Sequence, residues 1–126
     1  MGRDTLQRAA YLSFATFRKS GAKVATPVWF AQEGDALYIF SAAEAGKVKR
    51  LRNSDKSEVA ACTVSGKVTG PWLETRAEVL TSSADIDNAL SALQQKYGWQ
   101  MKMTNFLSRL SGKYNQRAYI RATLSN

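Results

Sequence analysis

The 126-residue chain predicts a mainly β (α+β) fold, a six-stranded antiparallel barrel with two to three helices at its side. Short segments of alternating or continuous apolar character recur between turn residues, at 11–17, 23–32, 36–41, 57–64, 73–80 and 116–124. Sustained helical spacing of apolar residues is concentrated between residues 82 and 110. A hydrophobic content of 44% with 22% charged residues suits one ordinary globular core, so residues 1–126 are expected to form a single domain.

The elements follow in order. Residues 4–10 read as a short helix with Asp4 as its cap and Leu6 on its apolar side. Tyr11 to Phe17 alternates, with Leu12, Phe14 and Thr16 facing one way. A turn at Gly21 leads to the second strand, 23–32, which contains Thr26-Pro27-Val28-Trp29-Phe30. Proline cannot donate to a sheet ladder, so Pro27 is expected at an edge, a bulge or an interruption. Glu33-Gly34-Asp35 is a hairpin turn, and the third strand runs to Ser41. Residues 57–64 are apolar on both faces, whereas 73–80 alternate cleanly between Leu73, Thr75, Ala77, Val79 and a charged face. Ser82 or Ser83 caps a helix carrying Ile86, Leu90, Leu93 and Tyr97; a further helix is expected at 100–110. The last strand sets Ala118, Ile120, Ala122 and Leu124 on one face.

Composition narrows the chemistry. There is no histidine, which removes Ser-His-Asp and Cys-His catalysis, His-ligated zinc and proximal-His haem. An enzyme built on this chain borrows its chemistry from a bound cofactor or uses other side chains. The single Cys62 excludes an internal disulfide and reads as a small buried hydrophobe. No apolar run is long enough to span a bilayer and the first residues lack a signal-peptide core, so a cytoplasmic location is expected. The net charge of +8 points to an anionic partner.

That charge concentrates at Gly46-Lys47-Val48-Lys49-Arg50-Leu51-Arg52-Asn53, which holds four cations within six residues, on an expected short helix after the strand ending at Ser41. Val48 and Leu51, three apart, face the core together; Lys47 and Arg50 share another face, flanked by Lys49. A solvated basic face is the plain reading of such a run. Lys47 in the first turn nevertheless opposes the helix dipole, which an intervening anion would relieve, and a phosphate seat becomes the sharper reading. Arg52 reads as surface charge. Trp72, in a loop with two glycines and a proline, is a candidate lid.

Ala25-Thr26-Pro27-Val28-Trp29-Phe30, Leu37-Tyr38-Ile39-Phe40-Ser41, the basic segment 46–53 and Lys96-Tyr97-Gly98-Trp99-Gln100 occur in this order. Together they resemble the pyridoxamine 5′-phosphate oxidase-like family of split β-barrels, and within it the flavin/deazaflavin branch of coenzyme F420-dependent oxidoreductases. The resemblance covers residues 5–124. It implies an FMN-binding type of split barrel and a homodimer with cofactor at the interface, binding FMN or coenzyme F420. Lys47, Lys49 and Arg50 match the family's phosphate ligands, helped by Ser41; Thr26, Pro27 and Val28 match the strand lying along the ring system, and Trp72 the loop covering the ring in the partner subunit. The chain lacks the arginine that pyridoxamine-phosphate oxidases carry near Thr26, and their histidines.

The resulting expectation is an oxidoreductase in which hydride passes between N5 of FMN, or C5 of the deazaflavin, and a small organic acceptor such as an enone or quinone. No side chain is assigned as catalytic acid or base. A non-catalytic flavin carrier or redox sensor is the alternative. A basic barrel that stacks RNA or single-stranded DNA on Tyr11, Phe14, Tyr38 and Phe40 is the remote one.

Overall fold

A computed structural model describes Leu6 and residues 9–42, 46–97 and 117–125. The expected helices at 4–10 and 100–110 lie outside these residues, Leu6 and Ala9–Ala10 apart. In chain order the described elements are β1 (Tyr11–Phe17), β2 (Lys23–Val28), β3 (Phe30–Glu33), β4 (Ala36–Ala42), α1 (Gly46–Leu51), β5 (Lys56–Cys62), β6 (Leu73–Val79), α2 (Ser83–Tyr97) and β7 (Arg117–Leu124). The strands form one sheet in the order β2-β1-β5-β6-β7-β4-β3, and every neighbouring pair is antiparallel.

Seven strands replace the six expected, because the run 23–32 is two strands. β2 pairs with β1 and β3 pairs with β4, at opposite edges of the sheet, and only Trp29 separates them. One stretch of chain therefore joins both edges and rolls the sheet into a split barrel. The inward alternation of Val24, Thr26, Val28 and Phe30 passes through the break unchanged, so sequence periodicity does not mark it. Pro27 lies on the edge strand β2, as its missing N–H requires. Beside it is Gly66, at φ +95°, a conformation that L side chains rarely adopt; a Cβ there would stand 3.7 Å from the Pro27 ring.

Leu12, Phe14, Phe30, Leu37, Ile39, Val59 and Ile120 fill the barrel interior, all fully buried. Each contributes about 1.5–3 kcal/mol by leaving water. A second cluster sits outside the sheet, where Ala31, Tyr38, Leu80 and Tyr119 receive Ala89, Ala92 and Leu93 of α2. The start of α2 is set by Ser82, whose Oγ accepts the Asp85 backbone N–H at 3.1 Å. Burial of Phe14 and Tyr38, with Tyr11 and Phe40 half-buried, leaves the four aromatics without a shared exposed face for stacking bases.

Candidate functional site

α1 is only six residues long, and what fixes it is burial: Val48 and Leu51 enter the barrel core. Its dipole is correspondingly small, so any anion held here rests on side chains. Lys47 and Arg50 share the face between core and solvent, as their spacing predicts.

Burial, and then the charge of Arg50, lower the Lys47 pKa from that of a free lysine. Arg50 is lowered in the same way, by desolvation first and then by Arg18. Arg18 thus acts on Arg50, and Arg50 on Lys47, where β1 ends and α1 packs. Among the described residues none of the three has a carboxylate partner. Elsewhere Lys23 pairs with Glu58 at 2.9 Å, Arg76 with Asp55 at 2.8 Å and Arg121 with Glu78 at 2.7 Å. Uncompensated, clustered and partly desolvated cations are costly unless an anion joins them.

Arg50 is aimed by two contacts. Its Nε donates to Oγ1 of the fully buried Thr16 at 2.6 Å. Its guanidinium lies against Gly46, where an added Cβ would stand 2.7 Å from Nη1. Gly46 therefore leaves the space that Arg50 occupies.

The other predicted residues are distributed around the barrel. Thr26 lies opposite Phe14, Pro27 opposite Ser13 and Val28 opposite Leu12. The Thr26 hydroxyl oxygen is buried and finds no hydrogen-bond partner. Ser41 is buried on β4, opposite Ala118. Lys49 is exposed in the last turn of α1, and its carbonyl accepts the Arg52 N–H at 3.3 Å and Asn53 Nδ2 at 3.4 Å. The structure thus brings Lys47 and Arg50 together electrostatically, while Ser41 lies on β4 and Trp72 ahead of β6. Trp72 is 36% exposed ahead of β6, with Lys23 Nζ 3.4 Å above its ring.

Sequence reasoning missed Arg18 and Thr16. Nothing local marks them; they reach the site because β1 ends where α1 packs. Among the described residues no group of three or more Cys, Asp or Glu side chains forms a metal site, and no helix is long and apolar enough to cross a membrane.

The family model for pyridoxamine 5′-phosphate oxidase matches residues 2–123. Solved structures share the fold at low identity. A Bacteroides thetaiotaomicron protein named for 5-nitroimidazole antibiotic resistance superposes with TM-score 0.67 at 13% identity, over 99% of this chain and 78% of that one. A FAD-binding protein from Mesorhizobium loti gives 0.64 at 16%, over 98% and 85%. HutZ, the haem storage protein of Vibrio cholerae, gives 0.70 at 10%, over 98% and 87%. No curated protein sequence matches the chain. With its split barrel and a family match over almost its whole length, the chain belongs to the pyridoxamine 5′-phosphate oxidase family.

Proposed function

We propose that the protein is an oxidoreductase that binds FMN or coenzyme F420 through the cofactor's phosphate. The observation that carries this is the set Arg18, Arg50 and Lys47, in which Arg18 acts on Arg50 and Arg50 on Lys47, with no carboxylate partner among the described residues. Lys47 and Arg50 bind the phosphate, Arg18 adds to the field, and Thr16 holds Arg50 in place. Ser41, on the strand leading to α1, and Lys49, on its exposed side, supplement the seat. Thr26, Pro27 and Val28 border the ring system, and the unpartnered Thr26 hydroxyl provides a hydrogen bond that a heteroaromatic edge satisfies.

The cofactor supplies hydride transfer to or from a small organic molecule; the chain supplies position and electrostatics. Two copies sharing each site, with Trp72 covering the partner's ring, complete the reading. Its support is the exposed apolar surface beside edge strand β2: Val64 and Val68 flank Gly66, which lies against Pro27. The absence of histidine and of a strand arginine near Thr26 counts against oxidation of pyridoxamine 5′-phosphate itself. The lack of histidine also counts against proximal-His haem ligation.

Titration with FMN and with coenzyme F420, followed by fluorescence quenching, tests the reading. Micromolar or tighter binding of one of them, lost in Lys47→Ala, is expected; binding of neither refutes it. Turnover of the reduced cofactor against enones and quinones separates an enzyme from a carrier.

A further inference from the structure

The loop that joins β5 to β6 is fastened along the edge strand β2 at two points. Near its start the Gly66 backbone lies against the Pro27 ring, and the Thr69 N–H returns to the Ala61 carbonyl of β5 at 2.8 Å. At its end Trp72 lies beneath Lys23, whose Nζ stands 3.4 Å from the ring centre. Lys23 and Pro27 share the exposed face of β2, with Ala25 between them, roughly 13 Å apart along the strand. Lys23 is itself pinned: its Nζ also meets Glu58 Oε1 at 2.9 Å, with the two side chains 34% and 25% exposed. Glu58 belongs to β5, on the far side of β1, and Ala15 of β1 stands between Ala25 and Glu58. A methyl group there leaves Lys23 a path across β1. One ammonium thus ties an edge strand, an inner strand and a loop aromatic together.

We propose that Lys23 is a positioning residue for Trp72: held by Glu58, it fixes the indole of the loop and thereby slows the escape of the cofactor that Trp72 covers. The proposal rests on the cofactor reading above and adds to it a residue that no phosphate contact would single out. A cation over an indole is attracted to the negative face of the ring, so the contact is lost when the ring turns. Tryptophan is also the side chain that holds a cation best in this way. The ion pair with Glu58 keeps Lys23 from swinging into solvent on its flexible four-carbon stem, which would release the indole. As a unit the Lys23–Glu58 pair carries little net charge. It therefore holds the ring without competing with Lys47 and Arg50 for the phosphate.

Two measurements on the full chain test it. The first needs no cofactor: acrylamide quenching of Trp72, taken as the fluorescence difference between each protein and its Trp72→Phe counterpart. Lys23→Met is expected to raise the Trp72 quenching constant about twofold, while Lys23→Arg, which keeps a cation for the ring, stays near the wild type. Equal quenching in Lys23→Met and wild type overturns the proposal. The second is the dissociation rate of whichever of FMN or coenzyme F420 the wild type binds. Lys23→Met is expected to release it about two- to fivefold faster, the scale of a cation–π contact, and Lys23→Arg to restore the slower rate. Glu58→Gln, which leaves Lys23 without its anchor, is expected to fall between. Lys19→Met, at an exposed cation of the neighbouring turn, is expected to change neither measurement. An equal effect there would assign the change to lost charge in general and overturn the proposal. A freed Trp72 with an unchanged dissociation rate would mean that the loop is fixed but covers nothing, and the proposal would fail while the phosphate anchor stood. Failure of the wild type to bind either cofactor is the separate result that refutes the cofactor reading, and the proposal with it.

Discussion

Lys47 and Lys49 are two residues apart on one basic run, and the structure gives them different surroundings. Lys47 is partly desolvated beside Arg50; Lys49 is exposed. Lys47→Ala is expected to weaken FMN or F420 binding by about 10- to 100-fold, the scale of a charge-assisted phosphate contact. Lys49→Ala should change it by no more than about twofold; parallel titrations of the two variants check this. Gly46→Ala is a subtler probe. The new methyl displaces Arg50 while suiting a helix, so thermal stability is expected to hold while affinity falls. Lys96 provides a pH prediction. Its folded pKa of about 8 lies below its ordinary value of 10.5, so the unfolded chain binds the proton more tightly. Stability is therefore expected to rise between about pH 8 and pH 10. Urea midpoints at pH 7.5 and 9.5 should show that gain in the wild type and a smaller one in Lys96→Met. At this scale the sequence showed the like-charged pair, whose i, i+3 spacing is local. Arg18 was invisible, because its place depends on where β1 ends in three dimensions.

The elements were largely legible because each carries its own period. β7 buries Ala118, Ile120, Ala122 and Leu124 as its alternation requires, and α2 begins at the serine cap its sequence offers. The break at Trp29 was not legible. Val28 and Phe30 both face inward across it, so the pattern of one strand survives while the pairing partner changes. Partner choice is a property of the whole sheet, and periodicity does not encode it. α1 shows how packing governs a site that charge alone would not hold. Val48 is 1% exposed, and Val48→Ala is expected to cost about 1–3 kcal/mol through lost burial and the cavity left behind. It should also weaken phosphate binding, since the same turn aims Lys47 and Arg50. Arg52→Ala, in the exposed turn after the helix, should do neither; urea denaturation and cofactor titration of both variants distinguish the cases.

The whole chain carries a net charge of +8, and among the described residues several cations are paired while Arg18, Lys47 and Arg50 have no carboxylate partner. Any salt reduces the general repulsion by screening, over roughly 10 Å at 0.1 M. An anion that occupies the cluster does more, because it binds the folded chain and not the unfolded one. Inorganic phosphate is therefore expected to raise the melting temperature beyond sodium chloride at equal ionic strength and pH. At 100 times its dissociation constant the gain is about 2.7 kcal/mol, and each kcal/mol moves a domain of this size by about 3–5 °C. Phosphate also stabilises proteins generally by exclusion from their surface, so the decisive comparison is with Lys47→Ala/Arg50→Ala. The double variant keeps the exclusion effect and loses the seat. An equal phosphate increment in wild type and double variant would mean that the cluster holds no anion, and the cofactor reading would lose its anchor. A larger increment in the wild type, saturating with phosphate concentration, is the outcome expected of a built site, because exclusion grows with concentration without saturating.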